Sequence, residues 1–295
     1  MSNTYLQIGS WNVEHLSKEG GRTESPYALV DHIEMSGIDI LALQEIYVTG
    51  TRDGSRRNRE LGRVCELLKE HRDQDWDYEL FPNRDPSDTS QLCGILWNKG
   101  AVSKARTEKI DVSHQAEELS LWDRPPHAVK FTANVRVWER QGDDSYAPSE
   151  HRKSIVVVPL HMKSNYGGAS RAKRIRALEA ESLAAQLDRV RSELDQSVIL
   201  IGDTNVLAAH EPAITHYESA GLEDLNASDA PTYPGYGGSP FDRAFVDIDR
   251  REFAFTRQYI LQSANTALHD KFLSDHYLIK ISVKIYVDDR DPVVV

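Results

Sequence analysis

The chain has 295 residues, a formal net charge of -11 and 40% hydrophobic residues, enough for a substantial core. An acidic balance argues against a protein that coats duplex DNA without sequence preference, which is usually basic. No run of about 18 apolar residues exists to span a membrane. Cys65 and Cys93 are too few for a disulfide framework.

In chain order, Tyr5 to Trp11 reads as a strand that ends on Asn12. Pro26 to Ser36 reads as a helix, capped by Ser25 with Pro26 at its first position. Ile38 to Leu43 is a short buried strand leading to Gln44-Glu45. Arg57 to His71 patterns as a helix with Leu61, Val64, Leu67 and Leu68 on one face. Tyr78 to Phe81, Leu92 to Trp97, Ala128 to Trp138 and Ser154 to Leu160 read as strands, with Asp143 to His151 a polar hairpin loop. Ala169 to Leu194 has the apolar stripe of one long helix. Val198 to Ile201 is a buried strand ending at Gly202, and Pro231 to Pro240 is an irregular loop. Phe241 to Val246, Glu252 to Ile260 and Tyr277 to Val287 complete the strands. Apolar runs without clean alternation imply strands covered on both faces, hence two packed sheets with helices outside. We expect one domain over residues 1–287 and a charged tail over 288–295. The start lacks a basic and apolar leader, which suggests a cytoplasmic protein. Nothing indicates an oligomer.

The chemistry sits at the ends of these runs. Ser10-Trp11-Asn12-Val13-Glu14, Leu43-Gln44-Glu45, His161, Gly202-Asp203-Thr204-Asn205, Phe241-Asp242-Arg243 and Ser274-Asp275-His276 each place an acid, amide or imidazole at a strand terminus, where active-site groups usually stand. In Gly202-Asp203-Thr204-Asn205, Asp and Asn two apart point to one side of an extended segment. Oxygen donors of this kind hold hard cations, and imidazoles handle the charge and protons of a phosphate. Arginines cluster from Arg52 to Arg63 and from Arg171 to Arg176. Cations in the first turns of the helix from Ala169 oppose its dipole, a conflict that a docked anion would resolve. From these groups Arg57, Arg171 and Arg174, with Lys163 just after His161, are candidate phosphate contacts, and Tyr233 is a candidate base-stacking residue.

Taken together and in this order, the motifs resemble the endonuclease/exonuclease/phosphatase superfamily, the DNase I-like fold, over about Tyr5 to Ile285. The resemblance implies a four-layer α/β sandwich with a divalent cation, Mg2+ or else Mn2+, in a cleft at one edge of two central sheets. It implies that Asn12, Glu45 and Asp275 serve the metal site. Asp203 would orient or deprotonate the attacking water, and Asn205 would bind the scissile phosphate. His161 and His276 would donate hydrogen bonds to phosphate oxygens, and Asp242 would orient His276. Glu14 departs from the family pattern, which often has Asp there. Gly202-Asp203-Thr204-Asn205, Phe241-Asp242-Arg243 and Ser274-Asp275-His276 are similar to tyrosyl-DNA phosphodiesterases acting on 5′ ends. His161-Met162-Lys163-Ser164 resembles secreted bacterial nucleases. Inositol phosphatases share the histidine and acidic set. The expected activity is therefore metal-dependent phosphoester hydrolysis by in-line attack of water, on nucleic acid (DNA ahead of RNA) or alternatively on small or lipid phosphoesters.

Overall fold

The computed structural model describes residues 4–19, 25–85, 90–140, 145–263 and 265–285. In chain order the elements are β1 (Tyr5–Leu16), α1 (Pro26–Ser36), β2 (Ile40–Ile46), a hairpin of β3 (Gly50–Arg52) and β4 (Ser55–Arg57), and α2 (Arg59–Arg72). There follow β5 (Trp76–Leu80), β6 (Leu92–Asn98), β7 (Val102–Lys109), β8 (Gln115–Ala116), β9 (Leu119–Ser120), β10 (His127–Arg140) and β11 (Tyr146–His161). The remainder is α3 (Ala169–Ala184), α4 (Leu187–Glu193), β12 (Val198–Asp203), α5 (Pro212–Ser219), β13 (Glu223–Asp224), β14 (Asp242–Val246), β15 (Tyr259–Leu261), α6 (Thr266–Phe272) and β16 (Leu278–Lys284). The tail expected over 288–295 lies outside the described residues.

Two six-stranded sheets carry the fold, the first in the order β15-β16-β1-β2-β6-β5 and the second β13-β14-β12-β11-β10-β7. Side-chain alternation explains why their strands read as unbroken apolar runs. In β11, Ile155 and Val157 join the cluster between the sheets, while Val156, Val158 and Leu160 join a second cluster with Leu183, Leu187 and Tyr217 of α3, α4 and α5. In β2, Ile40 and Ala42 face the other sheet, whereas Leu41 and Leu43 pack with Leu29 of α1 and with Val64 and Leu67 of α2. The result is the expected four layers: helices, sheet, sheet, helices. Each fully buried Leu or Val contributes roughly 1.5–3 kcal/mol.

Several local readings need correction. The helix from Ala169 is not continuous. Gln186 N–H donates to the Leu183 carbonyl at 2.9 Å, a tight turn that divides α3 from α4 and keeps Leu187 in the same cluster as Leu183. The second helix begins at Arg59 rather than Arg57, because Asn58 caps it by accepting from Leu61 N–H at 2.9 Å. Glu252 to Phe255 is a succession of turns, not a strand. Phe253 plugs the inter-sheet core, and Glu252 accepts from Lys153, Ser197 and Arg250. The loop expected from Asp143 is largely strand, since Tyr146 already pairs with Arg140. No described helix is long and apolar enough to cross a membrane.

Candidate active site

Strand direction gathers the motifs at one end of both sheets. β1 and β2 are parallel, as are β11 and β12, so Glu45, His161 and Asp203 stand at C-terminal ends on one side; β1 runs on to Leu16 rather than ending on Asn12, and Asn12 joins them at its register break. β14 and β16 run antiparallel to β12 and β1, which brings their N-terminal ends, with Asp242 and His276, to that same side. Gly202 makes the close approach feasible: a Cβ there would lie 2.1 Å from the Leu160 carbonyl oxygen.

The centre is tightly drawn. Asn12 Nδ2 donates to Asp203 Oδ2 at 3.0 Å and to Glu45 Oε1 at 3.2 Å. His161 Nε2 lies 3.7 Å from that Asp203 oxygen and 3.9 Å from that Glu45 oxygen. The ligand-capable atoms of Glu45, His161 and Asp203 thus all fall within 4.8 Å of one another, a grouping that can hold a metal ion. Asp203 Oδ1 accepts from Asn205 N–H at 2.9 Å in an Asx-turn, which puts Asn205 in left-handed backbone (φ 54°). The Asn205 amide reaches back to the Met162 carbonyl at 3.3 Å.

A second pair stands beside this centre. His276 Nδ1 and Asp242 Oδ2 are 2.8 Å apart and buried. Burial alone would lower the His276 pKa, but the Asp242 carboxylate and the more distant Asp203 and Asp275 hold it well above the usual imidazole range. The strand end is pinned by Trp11 Nε1, donating to the His276 carbonyl at 3.1 Å, and by Ser274 Oγ, which donates to the Asn12 carbonyl at 2.5 Å and accepts from His276 N–H at 3.0 Å. The Tyr233 ring packs 5.0 Å from the His276 ring. Asp275 N–H donates to Glu14 Oε2 at 3.1 Å, and its carboxyl is pushed up to about 6, first by burial and then by Glu14, Glu45 and Asp242, which sets it in the same acidic neighbourhood. Burial, with Asp242 and Glu45, likewise raises Asp203. His161 is lowered by burial and by the Arg124 charge, and its Nδ1 has no hydrogen-bond partner among the described residues.

The predicted basic contacts do not all join this centre. Arg57 lies over the Tyr78 ring and 3.8 Å from Asp77, in a groove of about 690 Å³ whose lining contains none of the site's carboxylates or histidines. Arg174 pairs with Glu117, and Arg171 is exposed on the first turn of α3. Arg176 of the same cluster is buried against Glu211, where it donates to the Lys163 carbonyl at 3.1 Å and to Asn165 Oδ1 at 3.0 Å. Glu211 also accepts from Leu207 N–H, and Asn165 donates to the Asn205 carbonyl, so this ion pair ties the loop after His161 to the loop after Asp203. Lys163 Nζ stands 3.8 Å from Asp123.

Three residues escaped the sequence reading. Gln91 donates to Glu45 Oε2 at 2.8 Å, His15 Nδ1 lies 2.6 Å from that same oxygen, and Arg124 donates to Gln91 Oε1 at 3.4 Å. Arg124 and Gln91 line a cleft of about 440 Å³ with Arg84, Ser90 and Asp123. Gln91 had a signal: it immediately precedes the apolar run of β6, which is antiparallel to β2, so its N-terminal end belongs to the site edge. Arg124 and His15 carry no comparable mark.

No protein-family model matches the sequence, and no curated protein is significantly similar to it. Solved structures are similar in fold. An endonuclease/exonuclease/phosphatase family protein from Bacteroides thetaiotaomicron superposes with a TM-score of 0.61 at 14% identity, covering 98% of this chain and 100% of that one. Humanized TDP2 from D. rerio gives 0.56 at 15% identity, covering 95% and 99%. The mannosyl-6-phosphatase Bt3783 of Bacteroides thetaiotaomicron gives 0.55 at 14% identity, covering 94% and 99%. The chain has the DNase I-like fold of the endonuclease/exonuclease/phosphatase superfamily.

Proposed function

We propose that this protein hydrolyses phosphoesters with the help of a divalent cation, and that phosphodiester bonds of nucleic acid, DNA ahead of RNA, lead its substrates. The observation that carries the reading is the meeting of Asn12, Glu45, His161 and Asp203 with the His276–Asp242 pair at one edge of both sheets. The donors fit a hard cation. Asn12, Glu45, Asp203 and Asp275 supply oxygens of the kind Mg2+ and Mn2+ take. Burial and mutual crowding hold Asp203 and Asp275 above the ordinary carboxylate range, an electrostatic burden that a dication relieves. When bound, the ion would offset phosphate charge and orient its oxygens.

The remaining work falls to the side chains. Asp203, fixed by Asn12 and by Asn205 N–H, is the acceptor for a proton of the attacking water. His276, kept charged by Asp242, donates to a phosphoryl oxygen as charge develops there, and His161 and Asn205 contact the same group. Tyr233, against His276, offers a stacking face for a base. Lys163, two residues after His161 and 3.8 Å from Asp123, is a further proposed phosphate contact.

Two observations favour a second reading, hydrolysis of small or lipid phosphoesters. The net charge is -11, and Arg57 and Arg174 are already paired with acids. The same proposal treats residues 1–287 as one catalytic unit, and a reducing cytoplasm suits the free thiols of Cys65 and Cys93. The test is a panel of plasmid, single-stranded DNA, RNA, 5′-phosphotyrosyl DNA, inositol phosphates and mannose 6-phosphate, each with Mg2+ or Mn2+. Cleavage of nucleic acid is expected. Turnover confined to the small phosphates would replace it with the second reading, and turnover of none would overturn the reaction class.

A further inference from the structure

Resting on the cation site just proposed, we propose that His15 is an additional, nitrogen ligand to the ion held by Glu45, and that it makes the site prefer Mn2+ to Mg2+. The first observation is a hydrogen-bond conflict. Glu45 Oε2, His15 Nδ1 and Gln91 Nε2 form a triangle with sides of 2.6, 2.7 and 2.8 Å. An imidazole nitrogen carries either a proton or a lone pair. With a proton on Nδ1, His15 satisfies Glu45 but presents N–H against the N–H of Gln91. With a lone pair there, it accepts from Gln91 but faces the carboxylate oxygen. No assignment of hydrogens satisfies all three sides. A cation does, because a carboxylate oxygen and an imidazole lone pair are both ligands, and Gln91 can rotate to offer its amide oxygen.

The second observation is the backbone that delivers these groups. The β1–β2 register breaks between Asn12 and Leu16, and Glu14, His15 and Ser17 take φ of 45°, 61° and 65°. Glu45 itself has φ of 63°. Left-handed backbone is unfavourable in non-glycine residues, and such clusters persist where surrounding structure over-determines them. The conformation turns His15 inward against Glu45 from a strand whose regular continuation would not do so. Its side chain keeps 40% exposure, so an ion has access to it from solvent. An imidazole added to oxygen donors moves preference along the series from Mg2+ towards transition ions, since Mg2+ binds nitrogen poorly.

The experiment uses the full chain and the metals alone. Mn2+ binding is followed by the loss of its free-ion EPR signal, and Mg2+ binding by displacement of Mn2+. Wild-type, His15→Ala and His15→Asn proteins are compared, each checked for an unchanged melting temperature. We expect His15→Ala to lose at least about tenfold in Mn2+ affinity and less than about twofold in Mg2+ affinity, with His15→Asn in between. Pulsed EPR of the Mn2+ complex should show imidazole 14N coupling that weakens in His15→Ala. Unchanged Mn2+ affinity, equal losses for both ions, or an unaltered nitrogen coupling would each overturn the proposal; in the last two cases His15 is a hydrogen-bond partner of Glu45 and not a ligand. If His15→Ala does not fold, His15→Asn decides, through its loss of Mn2+ affinity and a nitrogen coupling weaker than that of the wild type, which His161 alone would leave unchanged. Failure of the wild-type protein to bind either ion would instead remove the cation site on which this rests.

Discussion

The two sheets hold their halves of the site in different ways. The second sheet presents His161, Asp203 and Asp242 from regular strand ends, backed by buried charge pairs: Arg176 with Glu211, and Arg243 with Asp224 and Asp229. The first sheet presents Asn12 and Glu45 beside a register break and a run of left-handed residues, with polar atoms packed closer than their hydrogens allow. The difference separates groups that regular strand ends hold in place from groups that an irregular backbone must place.

The contrast breaks most readily at the buried pairs. Arg176→Met leaves Glu211 charged and unpaired in the interior, and the expected loss is about 3–5 kcal/mol in urea denaturation. The double variant Arg176→Met/Glu211→Leu should recover most of it. A loss below about 1 kcal/mol would mean that the loops carrying Lys163 and Asn205 do not depend on this support.

Next in size is His276→Ala. Removing one preorganised donor costs on the order of 10²–10³ in rate, or roughly 3–4 kcal/mol of barrier. Asp203→Ala and His161→Ala should behave similarly, all three with near-normal melting. Near-wild-type turnover from folded His276→Ala protein would sink its assigned role.

A smaller effect sharpens the contrast directly. Excess Mn2+, at about a hundred times its dissociation constant, should stabilise the protein by about 2.7 kcal/mol in thermal melts. The shift should persist in His276→Ala and vanish in Glu45→Ala, because Glu45 is a proposed donor to the ion and His276 is not. EDTA should silence turnover, and Mg2+ or Mn2+ should restore it.

The smallest expected effect is acid sensitivity outside the site. Burial pushes His127, stacked on Phe81, down to about 4, and burial with the neighbouring His269 does the same to His32. The unfolded chain takes up these protons near the ordinary value of 6.5, whereas the folded protein resists them until about 4. These two histidines therefore withdraw stability as pH drops through that window, by roughly 0.7 kcal/mol each between pH 7 and 6, while the raised Asp203, Asp275 and His276 act in the opposite sense. His127→Phe, which keeps the stack, should remove its share, read as the difference between the pH profiles of variant and wild type.

What the sequence made legible follows from locality. Ser25-Pro26 marks a helix start because capping is a contact between neighbours, and Ser25 does accept from Ala28 N–H. Asn12, Glu45, His161 and Asp203 stood out because each closes an apolar run, and parallel pairing then brings such positions together. His15 and Arg124 did not stand out, because their positions depend on a register break and on a loop held by buried Glu179, which accepts from Trp122 N–H and Lys163 N–H. β7 was missed because an edge strand exposes Ser103 to Arg106 to solvent and so lacks an apolar pattern. Glu252 to Ile260 misled in the opposite sense: Phe253 is buried from a turn, and burial alone does not specify a strand.

The place of β16 has a consequence for synthesis. It lies between β15 and β1, and the segment just before it joins the start of the chain through hydrogen bonds spanning 261 to 265 residues, among them Trp11 to the His276 carbonyl and Ser274 to the Asn12 carbonyl. Translation makes β1 early and β16 late, and N-terminal segments fold first. Until the late strand docks beside β1, the growing polypeptide lacks the His276–Asp242 pair and has an unpaired edge at β1. The proposed site is thus completed only once the segment from Ser274 through β16 has been made and has docked beside β1.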